Sequence, residues 1–299
     1  MSSFNNAAVS SDSVFQLKTN QDLVLSDKSF ENIRKYVYDN CGIYFQDNKK
    51  YLLESRLIKR INYLGLESFE QYFDFLRFHS GGASEKKYLY EAITINETFF
   101  FRNQPQLDVL VSTVVPEIMA KKLKSGSSKL RIWSAASSSG EEAYSTAIVI
   151  TDLLKLKYPA MQVEIVGTDL NHAVIEKANI GSYKEYSIRN TPAYYLKKYF
   201  KQSGSSYIVD PSIKKMVSFK VLNLYDDINM RAMRDFDIIF CANVLIYFDM
   251  KSKMKVVNHL YNSLNNGGYL FIGYAESLHN ISKAFSVVSF PKTIGYKKG

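Results

Sequence analysis

Cysteine is scarce in this chain of 299 residues, which contains only Cys41 and Cys241. Neither belongs to a CxxC pair or to a Cys/His cluster, so the sequence excludes a disulfide framework and a zinc site as organising features. The four histidines are scattered without the spacing of metal ligands. We therefore expect no bound metal and a reducing, cytoplasmic environment.

Long apolar runs are also missing. No uninterrupted stretch approaches the roughly 18 to 20 residues that a membrane-spanning helix needs, so we expect no direct membrane insertion. The first residues, MSSFNNAAVSSDS, are polar and lack the basic and apolar regions of a signal peptide. This composition predicts a disordered tail over 1–25.

Acidic residues are outnumbered, because 38 Lys and Arg face 29 Asp and Glu, giving a net charge of +9. Such a balance favours an acidic partner, which could be a nucleic acid, an anionic membrane or an acidic protein surface. Composition alone leaves these three open, and it also allows that the lysines only increase solubility.

Apolar residues recur at helical spacing over 26–92, as in Phe30, Ile33 and Val37, and predict a small helical domain. One helix is expected over 48–64, with Gly65 as its C-terminal cap. Basic residues follow one side of that helix, and we expect either a solvated face or a surface that docks an acidic receptor helix. The candidate docking residues are Lys49, Arg56, Lys59 and Arg60.

A linker and a helix are expected over 93–128, and from about 129 the pattern changes to short apolar runs alternating with helices. This alternation predicts a doubly wound parallel sheet of the Rossmann-like α/β class over 129–299. The last segment, 285–298, should form an antiparallel hairpin, which suggests a methyltransferase rather than a dehydrogenase sheet. A Ser- and Gly-rich stretch at about 200–219 predicts a small inserted β subdomain.

The strand LRIWSAA runs into SSSGEEAYSTA, which reads as the start of a helix. Small residues at such a turn let a ligand approach the backbone closely. Glu141 and Glu142 would repel a diphosphate, whereas they suit the cationic amino-acid part of S-adenosylmethionine. The alternative is an acidic helix start that only complements the helix dipole. Asp169 ends the next strand, where acidic residues of doubly wound folds accept hydrogen bonds from ribose hydroxyls.

Upstream, INETFFFR occupies 95–102. Asn96, Thr98 and Arg102 offer hydrogen bonds and a fixed positive charge, and Thr98 and Arg102 would share one face if the segment were helical. The phenylalanines between them are expected in the core.

Taken together, these motifs resemble the chemotaxis receptor methyltransferases of the CheR type. The resemblance covers about 22–298 and is carried by NETFFFR, WSAASSSGEEAYS, GTDLN, CANVLIYFD and GYAES. It implies S-adenosylmethionine as cofactor, with S-adenosylhomocysteine as product. The cofactor contacts that it implies are Asn96, Thr98, Arg102, Glu141, Asp169, Asn223, Leu224, Ala242 and Asn243. Ala242 departs from the family pattern, which usually has Arg before the Asn.

The implied reaction is methyl esterification of glutamate side chains on the cytoplasmic helices of methyl-accepting chemotaxis receptors. A glutamate of pKa about 4.3 is already ionised near neutral pH, so proximity and orientation should dominate and no catalytic triad is needed. Arg102 is expected to steer a carboxylate, and Tyr247 to shape the methyl pocket.

Two other functions stay open at this stage. A nucleic-acid methyltransferase would suit a basic chain, but the Asn/Asp-Pro-Pro-aromatic motif of many base methyltransferases is missing at 242–245, so we expect no nucleic-acid substrate. A non-catalytic module that binds cofactor or receptor is the other alternative. We further expect recruitment to membrane-bound receptor arrays without a pentapeptide tether, because the turn KQSGSS in the β subdomain is short.

Overall fold

The computed structural model describes residues 23–299. The tail expected over 1–25 therefore lies almost entirely outside the described residues. The described chain begins with a helical domain and continues into an α/β domain.

Four helices build the first domain: α1 (Asp27–Cys41), α2 (Lys50–Tyr63), α3 (Phe69–Phe78) and α4 (Gly82–Ile93). A 3-10 turn over Asp47–Lys49 precedes α2, so Lys49 lies just outside that helix. Gly42 and Gly65 both adopt the left-handed conformation that ends a helix, with φ of 73° and 67°. The small all-α domain expected from helical periodicity is confirmed.

A helical connection leads to the sheet, with α5 (Gln104–Val109) and α6 (Val115–Lys124) joined by a π-helical turn over Leu110–Val114. The α/β domain then contains, in chain order, β1 (Lys129–Ala135), α7 (Glu141–Leu154), β2 (Gln162–Asp169), α8 (His172–Ile180), β3 (Ser182–Lys184), α9 (Glu185–Ile188), α10 (Ala193–Tyr199), β4 (Phe200–Ser203), β5 (Ser206–Val209), α11 (Pro211–Lys214), β6 (Val217–Val221), α12 (Asp227–Met230), β7 (Phe236–Cys241), α13 (Met250–Ser263), β8 (Leu264–Ile272), β9 (Phe285–Phe290) and β10 (Thr293–Lys298).

The main sheet has the strand order β6-β2-β1-β7-β8-β10-β9. The first five of these strands are parallel, whereas β10 pairs antiparallel with both β8 and β9. The predicted Rossmann-like sheet with a C-terminal hairpin is confirmed. Strand order reverses at β1, which puts the carboxyl ends of β1, β2 and β7 around a crevice.

The inserted β subdomain differs from its predicted bounds. Its three strands have the order β3-β5-β4 and lie within 182–209. Sequence reasoning placed it at about 200–219, because β3 is only three residues long and gives little signal by itself. The last part of that stretch, β6, belongs to the main sheet, where it pairs with β2.

The helical domain meets the sheet domain through the chain that follows α1. The N–H of Tyr44 donates to the carbonyl of Tyr247 at 3.0 Å, and Ile43 pairs with Phe248 as an antiparallel bridge. Gly42 packs so closely on Tyr225 that a Cβ there would come within 2.6 Å of the ring. These contacts place the helical domain over the carboxyl ends of the strands.

No helix within 23–299 is both long enough and apolar enough to cross a membrane.

Candidate active site

A cavity of about 810 Å³ lies between the helical domain and the carboxyl ends of the strands. Its wall includes the 93–103 segment, the turn after β1, the ends of β2 and β7, and the start of α13. This is the place where doubly wound sheets bind their ligands.

The turn after β1 is bent by residues in the left-handed conformation. Ala136, Ser138 and Gly140 have φ of 57°, 50° and 92°. Only glycine suits the last position, because φ is positive and a Cβ would lie 2.7 Å from the Phe219 ring. The bend brings the N–H of Ser138 within 2.9 Å of the Asp169 carboxylate.

Asp169 lies in the cavity wall at the end of β2, as the sequence predicted. Its two oxygens also fix the surrounding loop, because one accepts from Ser138 and the other from the N–H of Asn171 at 2.9 Å. Burial raises the pKa of this carboxyl to about 6, although these backbone donors act against the rise.

The two glutamates at the start of α7 have different surroundings, and Glu141, which was expected to contact the cofactor, does not line the cavity. Glu141 is fully buried beneath the cavity, where it accepts hydrogen bonds from the hydroxyls of Ser139 and Ser187 at 2.8 and 3.0 Å. Glu142 lies in the cavity wall instead. Successive helix residues point about 100° apart, so only one of them can face the ligand.

Glu142 is held by the hydroxyl of Ser134, which donates to its carboxylate at 2.7 Å. Burial raises the pKa of Glu142 to about 7; the nearby charge of Arg102 opposes this rise and the charge of Glu276 adds to it. A cationic ligand beside Glu142 would therefore stabilise the ionised form of this carboxyl.

The NETFFFR segment is not helical, so the expected shared face of Thr98 and Arg102 does not form. It crosses the cavity as an irregular strip, and Asn96, Thr98 and Arg102 all line the wall. Phe100 and Phe101 are buried in the core, as expected, whereas Phe99 is half-buried and lines the cavity. The N–H of Phe101, whose φ is 58°, donates to Ser145 at 3.0 Å, which fixes the strip to α7.

Arg102 is directed by its own strip, because its Nη1 donates to the carbonyl of Glu97 at 2.9 Å. Its side chain has no ion pair with any acid in 23–299. A fixed cation therefore stands in the cavity wall.

Asn223 and Leu224 also line the cavity, but the amide of Asn223 is already used. Its nitrogen donates to the carbonyl of Asn40 at 2.7 Å, and its oxygen accepts from the N–H of Tyr225 at 3.0 Å. This side chain joins the two domains, and one N–H and one lone pair of its amide stay available for a ligand.

The loop after β7 carries Ala242, Asn243 and Tyr247, and all three line the cavity. Asn243 is held at φ 63°. Burial raises the pKa of Tyr247, so its hydroxyl stays protonated at neutral pH and can donate a hydrogen bond.

Glu276 holds this loop in place, and sequence reasoning missed it. Its carboxylate accepts from the N–H groups of Asn243 at 2.8 Å, Gly273 at 2.7 Å and Ile246 at 3.3 Å. The signal was an acidic residue in the GYAES motif, directly after the last parallel strand.

The four basic residues expected to dock a receptor do not form one free stripe. Lys49 and Arg56 line the cavity mouth, and Arg56 also donates to the carbonyl of Ile93 at 2.6 Å. Lys59 is exposed. The expectation that Arg60 presents a free charge at the surface has to be corrected. Its guanidinium forms an ion pair with the buried Glu85 at 2.6 Å inside the helical domain.

Within 23–299, no cluster of three or more His, Cys, Asp or Glu side chains could hold a metal ion.

Comparison with known proteins accounts for nearly all of the described chain. Residues 96–294 match the family model of the CheR methyltransferase SAM binding domain, and 28–94 match that of the CheR methyltransferase all-alpha domain. Chemotaxis protein methyltransferase 2 of Vibrio cholerae is 37% identical over 279 residues, which cover 93% of this chain and 95% of that protein.

Two further relatives match a similar share of this chain. The chemotaxis protein methyltransferase of Borreliella burgdorferi is 36% identical, with 88% of this chain and 93% of that protein covered. Chemotaxis protein methyltransferase 1 of Pseudomonas aeruginosa is 34% identical, with 91% and 98% covered. With both domains matched and S-adenosylmethionine as the cofactor of the larger one, the chain belongs to the CheR family of chemotaxis methyltransferases.

Proposed function

We propose that this protein transfers a methyl group from S-adenosylmethionine to glutamate side chains on the cytoplasmic helices of chemotaxis receptors, giving methyl esters. The observation that carries the proposal is a single cavity lined by both acidic and basic side chains. Glu142 and Asp169 suit a cationic, hydroxyl-bearing cofactor, whereas Lys49, Arg56, Arg102 and Lys253 suit an arriving carboxylate.

The polar atoms of the cavity fit this cofactor. Gln106 is nearly buried and its nitrogen donates to the carbonyl of Ile272 at 2.7 Å, which identifies the other amide atom as the oxygen. That oxygen, like the hydroxyl of Ser137, is buried without a hydrogen-bond partner among the described residues. Buried polar atoms are normally paired, so both call for a partner from the ligand or from water.

The assignment of groups follows from this chemistry. Glu142 and Gln106 supply acceptors for the α-amino group, while Asp169 has acceptor capacity for the ribose hydroxyls. The volume of about 810 Å³ is within the usual range for small-molecule sites, roughly 300 to 1,000 Å³, and leaves space for a glutamate side chain.

The chain's own residues have to bring two reactants together. When bound, S-adenosylmethionine supplies an electrophilic methyl group, and the glutamate oxygen forms its bond to that carbon as the carbon–sulfur bond breaks and the electron pair goes to sulfur. Because the carboxylate is already ionised, no residue has to remove a proton. Arg102 orients a carboxylate by charge and Tyr247 by its hydroxyl, so the rate depends on alignment and exclusion of water.

A transfer assay with a tritium-labelled methyl group tests the proposal. We expect label in the cytoplasmic fragment of a methyl-accepting receptor and its release as methanol in mild base, because methyl esters hydrolyse there. Stable label in nucleic acid would identify the nucleic-acid alternative. Cofactor binding without any transfer would identify a regulatory module.

We also propose that the enzyme reaches its receptor without a pentapeptide tether. The strands β4 and β5 are joined only by Gly204 and Ser205, with Gly204 at φ 58°. A turn of this length offers no loop to shape a groove beside the edge strand, although strand addition to a sheet edge is a common way to bind peptides. Direct docking then has to supply the affinity that a tether would otherwise add by raising local concentration.

Titration with a receptor-tail pentapeptide should therefore show no saturable binding up to about 1 mM, the effective concentration that a short flexible tether provides. NMR shifts of the backbone amides over 182–209 are a suitable measurement, with a scrambled peptide as control. Micromolar binding by the native peptide alone, localised to that range, would show that the short-turn argument is wrong.

A further inference from the structure

An apolar ridge borders the cavity at the start of α13. It consists of Ile246, Met250 and Met254, whose exposed fractions are 57%, 52% and 51%. Met250 and Met254 are four residues apart on α13 and so share a face, while Ile246 lies in the 3-10 turn just before that helix. Contiguous exposed apolar side chains at a binding site mark an interaction surface more often than isolated ones do.

The ridge is continuous with the cavity. Ile246 and Met250 line its wall, and Met254 lies one helical turn further out. Tyr247, which belongs to the candidate active site, lies between the first two in sequence. A partner that packs on the ridge would therefore be within reach of the reacting centre.

Basic side chains line the cavity beside the ridge. Lys253 lines the mouth from the same helix, and Lys49 and Arg56 line it from the helical domain. The nearest acid in sequence, Asp249, is engaged, because it caps α13 by accepting from the N–H of Ser252 at 2.8 Å and also accepts from the hydroxyl of Tyr38 at 3.1 Å. The ridge thus presents apolar contacts between cations.

We propose that this ridge is the docking surface for the receptor helix that carries the target glutamate. An amphipathic helix with apolar residues on one stripe and acidic residues beside it matches the ridge and its cations, and this helix-in-groove mode reads contacts at i, i+3 and i+4. The inference rests on the proposed function. It assigns the binding surface to α13 in addition to α2, where Arg60 is already paired inside the protein.

Methionine suits such a role. Its unbranched, polarisable side chain adapts to partners of different shape, and surfaces rich in it tolerate several related ligands. A methyltransferase that serves receptors of different sequence needs this tolerance, because each receptor presents different apolar neighbours beside its glutamates.

The test is the double variant Met250→Gln/Met254→Gln, with the cytoplasmic fragment of a methyl-accepting receptor from the same organism as probe. Because the receptor helix would bury both thioether side chains, their loss should raise the Kd for the fragment about tenfold, measured by fluorescence anisotropy. The Michaelis constant for the receptor should rise in parallel. The single variant Met254→Gln, whose side chain lies outside the cavity wall, should weaken fragment binding in the same direction while kcat and the affinity for S-adenosylhomocysteine stay unchanged. The control is Leu156→Gln, since Leu156 is an apolar residue with 94% exposure in the turn just after α7.

Charge-reversal variants on α13 provide an independent test of the docking surface. Lys253→Glu should weaken fragment binding several-fold at low salt and less at high salt, because mobile ions screen the attraction. Lys251→Glu introduces the same change two residues away, and Lys251 does not line the mouth, so this variant should bind like the wild type.

Binding and transfer are measured separately, so the two proposals can fail separately. Wild-type protein that binds the fragment but transfers no methyl group would end the proposed function and leave the ridge to be judged by binding. Equal Kd values for the wild type and the methionine double variant, or no binding by the wild type, would overturn the docking surface. An unchanged urea midpoint shows in each case that the variant is folded.

Discussion

Replacing Glu142 with Gln should weaken binding of S-adenosylhomocysteine about 10- to 100-fold at pH 8. A hydrogen bond to a charged group contributes about 1.5–3 kcal/mol, and Gln keeps the shape of the side chain without its charge. Glu142 lies in the cavity wall and its carboxylate is oriented by Ser134. Isothermal titration calorimetry at fixed ionic strength measures the effect.

The loss should depend on pH in a defined direction. Because the pKa of Glu142 is raised to about 7, the carboxyl is largely protonated at pH 5.5 and largely ionised at pH 8. Wild-type affinity for a ligand with an ammonium group should rise across this interval. Asp169, with a pKa of about 6, adds to the rise at its lower end, so the difference between wild type and Glu142→Gln isolates the contribution of Glu142.

As pH rises, the contribution of Glu142 to the free energy of unfolding should fall, whereas its contribution to ligand affinity rises. A carboxyl whose pKa is higher in the folded than in the unfolded state stabilises the fold fully below about pH 4.5, the ordinary value, and loses that contribution as pH rises through about 7. The variant stays neutral at all these pH values. Ligand-free Glu142→Gln should therefore melt at a higher temperature than the wild type at pH 8, with little difference at pH 4.5.

Glu141→Gln is the matched control, since it makes the same change one residue earlier. Glu141 is buried among serines beneath the cavity, so this variant should bind S-adenosylhomocysteine within a few-fold of the wild type and be less stable. Equal affinities for wild type and Glu142→Gln, together with a large loss in Glu141→Gln, would return the role to Glu141.

This pair of residues shows where sequence reasoning stops. Two adjacent carboxylates at a helix start are visible in the sequence, as is their mismatch with a diphosphate. Which of them faces the ligand depends on the direction of α7, and the left-handed turn at Ser138 and Gly140 sets that direction. No local pattern encodes a helix direction, so the sequence alone does not distinguish the two glutamates.

Local signals were more reliable for the fold. Gly65 ends α2 because a left-handed residue there favours glycine, and the last strands pair antiparallel because they are close in the chain. Asn223 shows what local signals do not predict. It lies in the cavity wall as the family resemblance implied, but its amide bonds to Asn40, which is 183 residues away in sequence. Contacts at that separation depend on how domains pack.

Breaking the ion pair between Arg60 and Glu85 should have the largest effect on stability. It connects α2 to α4, and the hydroxyl of Tyr72 on α3 donates to the same carboxylate at 3.1 Å. The exposed fractions of the two side chains are 17% and 3%, so removing either partner leaves a largely buried charge. The expected loss in the free energy of unfolding for Arg60→Ala or Glu85→Ala is about 3 kcal/mol.

Urea denaturation followed by circular dichroism measures this loss, and two further variants define its origin. Arg60→Met/Glu85→Leu, which fills the site with apolar side chains, should recover most of the stability, because the cost comes from the unpaired charge. Asp39→Ala removes an exposed pair with Lys35 and should change stability by less than about 0.5 kcal/mol. A small loss in both single variants would place Arg60 back on the solvated face.

The ion pair also decides how receptor docking by α2 can be tested. Reversing Arg60 would place a second carboxylate against Glu85, so a higher Michaelis constant for the receptor could come from a damaged helical domain. Lys59, the residue before Arg60 on α2, is exposed. Lys59→Glu therefore changes the surface charge without altering the ion pair between Arg60 and Glu85. If α2 contributes to docking, Lys59→Glu should weaken receptor binding with unchanged urea midpoint, whereas Arg60→Glu should lower the midpoint first. A receptor affinity that falls only in variants with a lowered midpoint would show that the basic residues of α2 support the fold and leave docking to other surfaces.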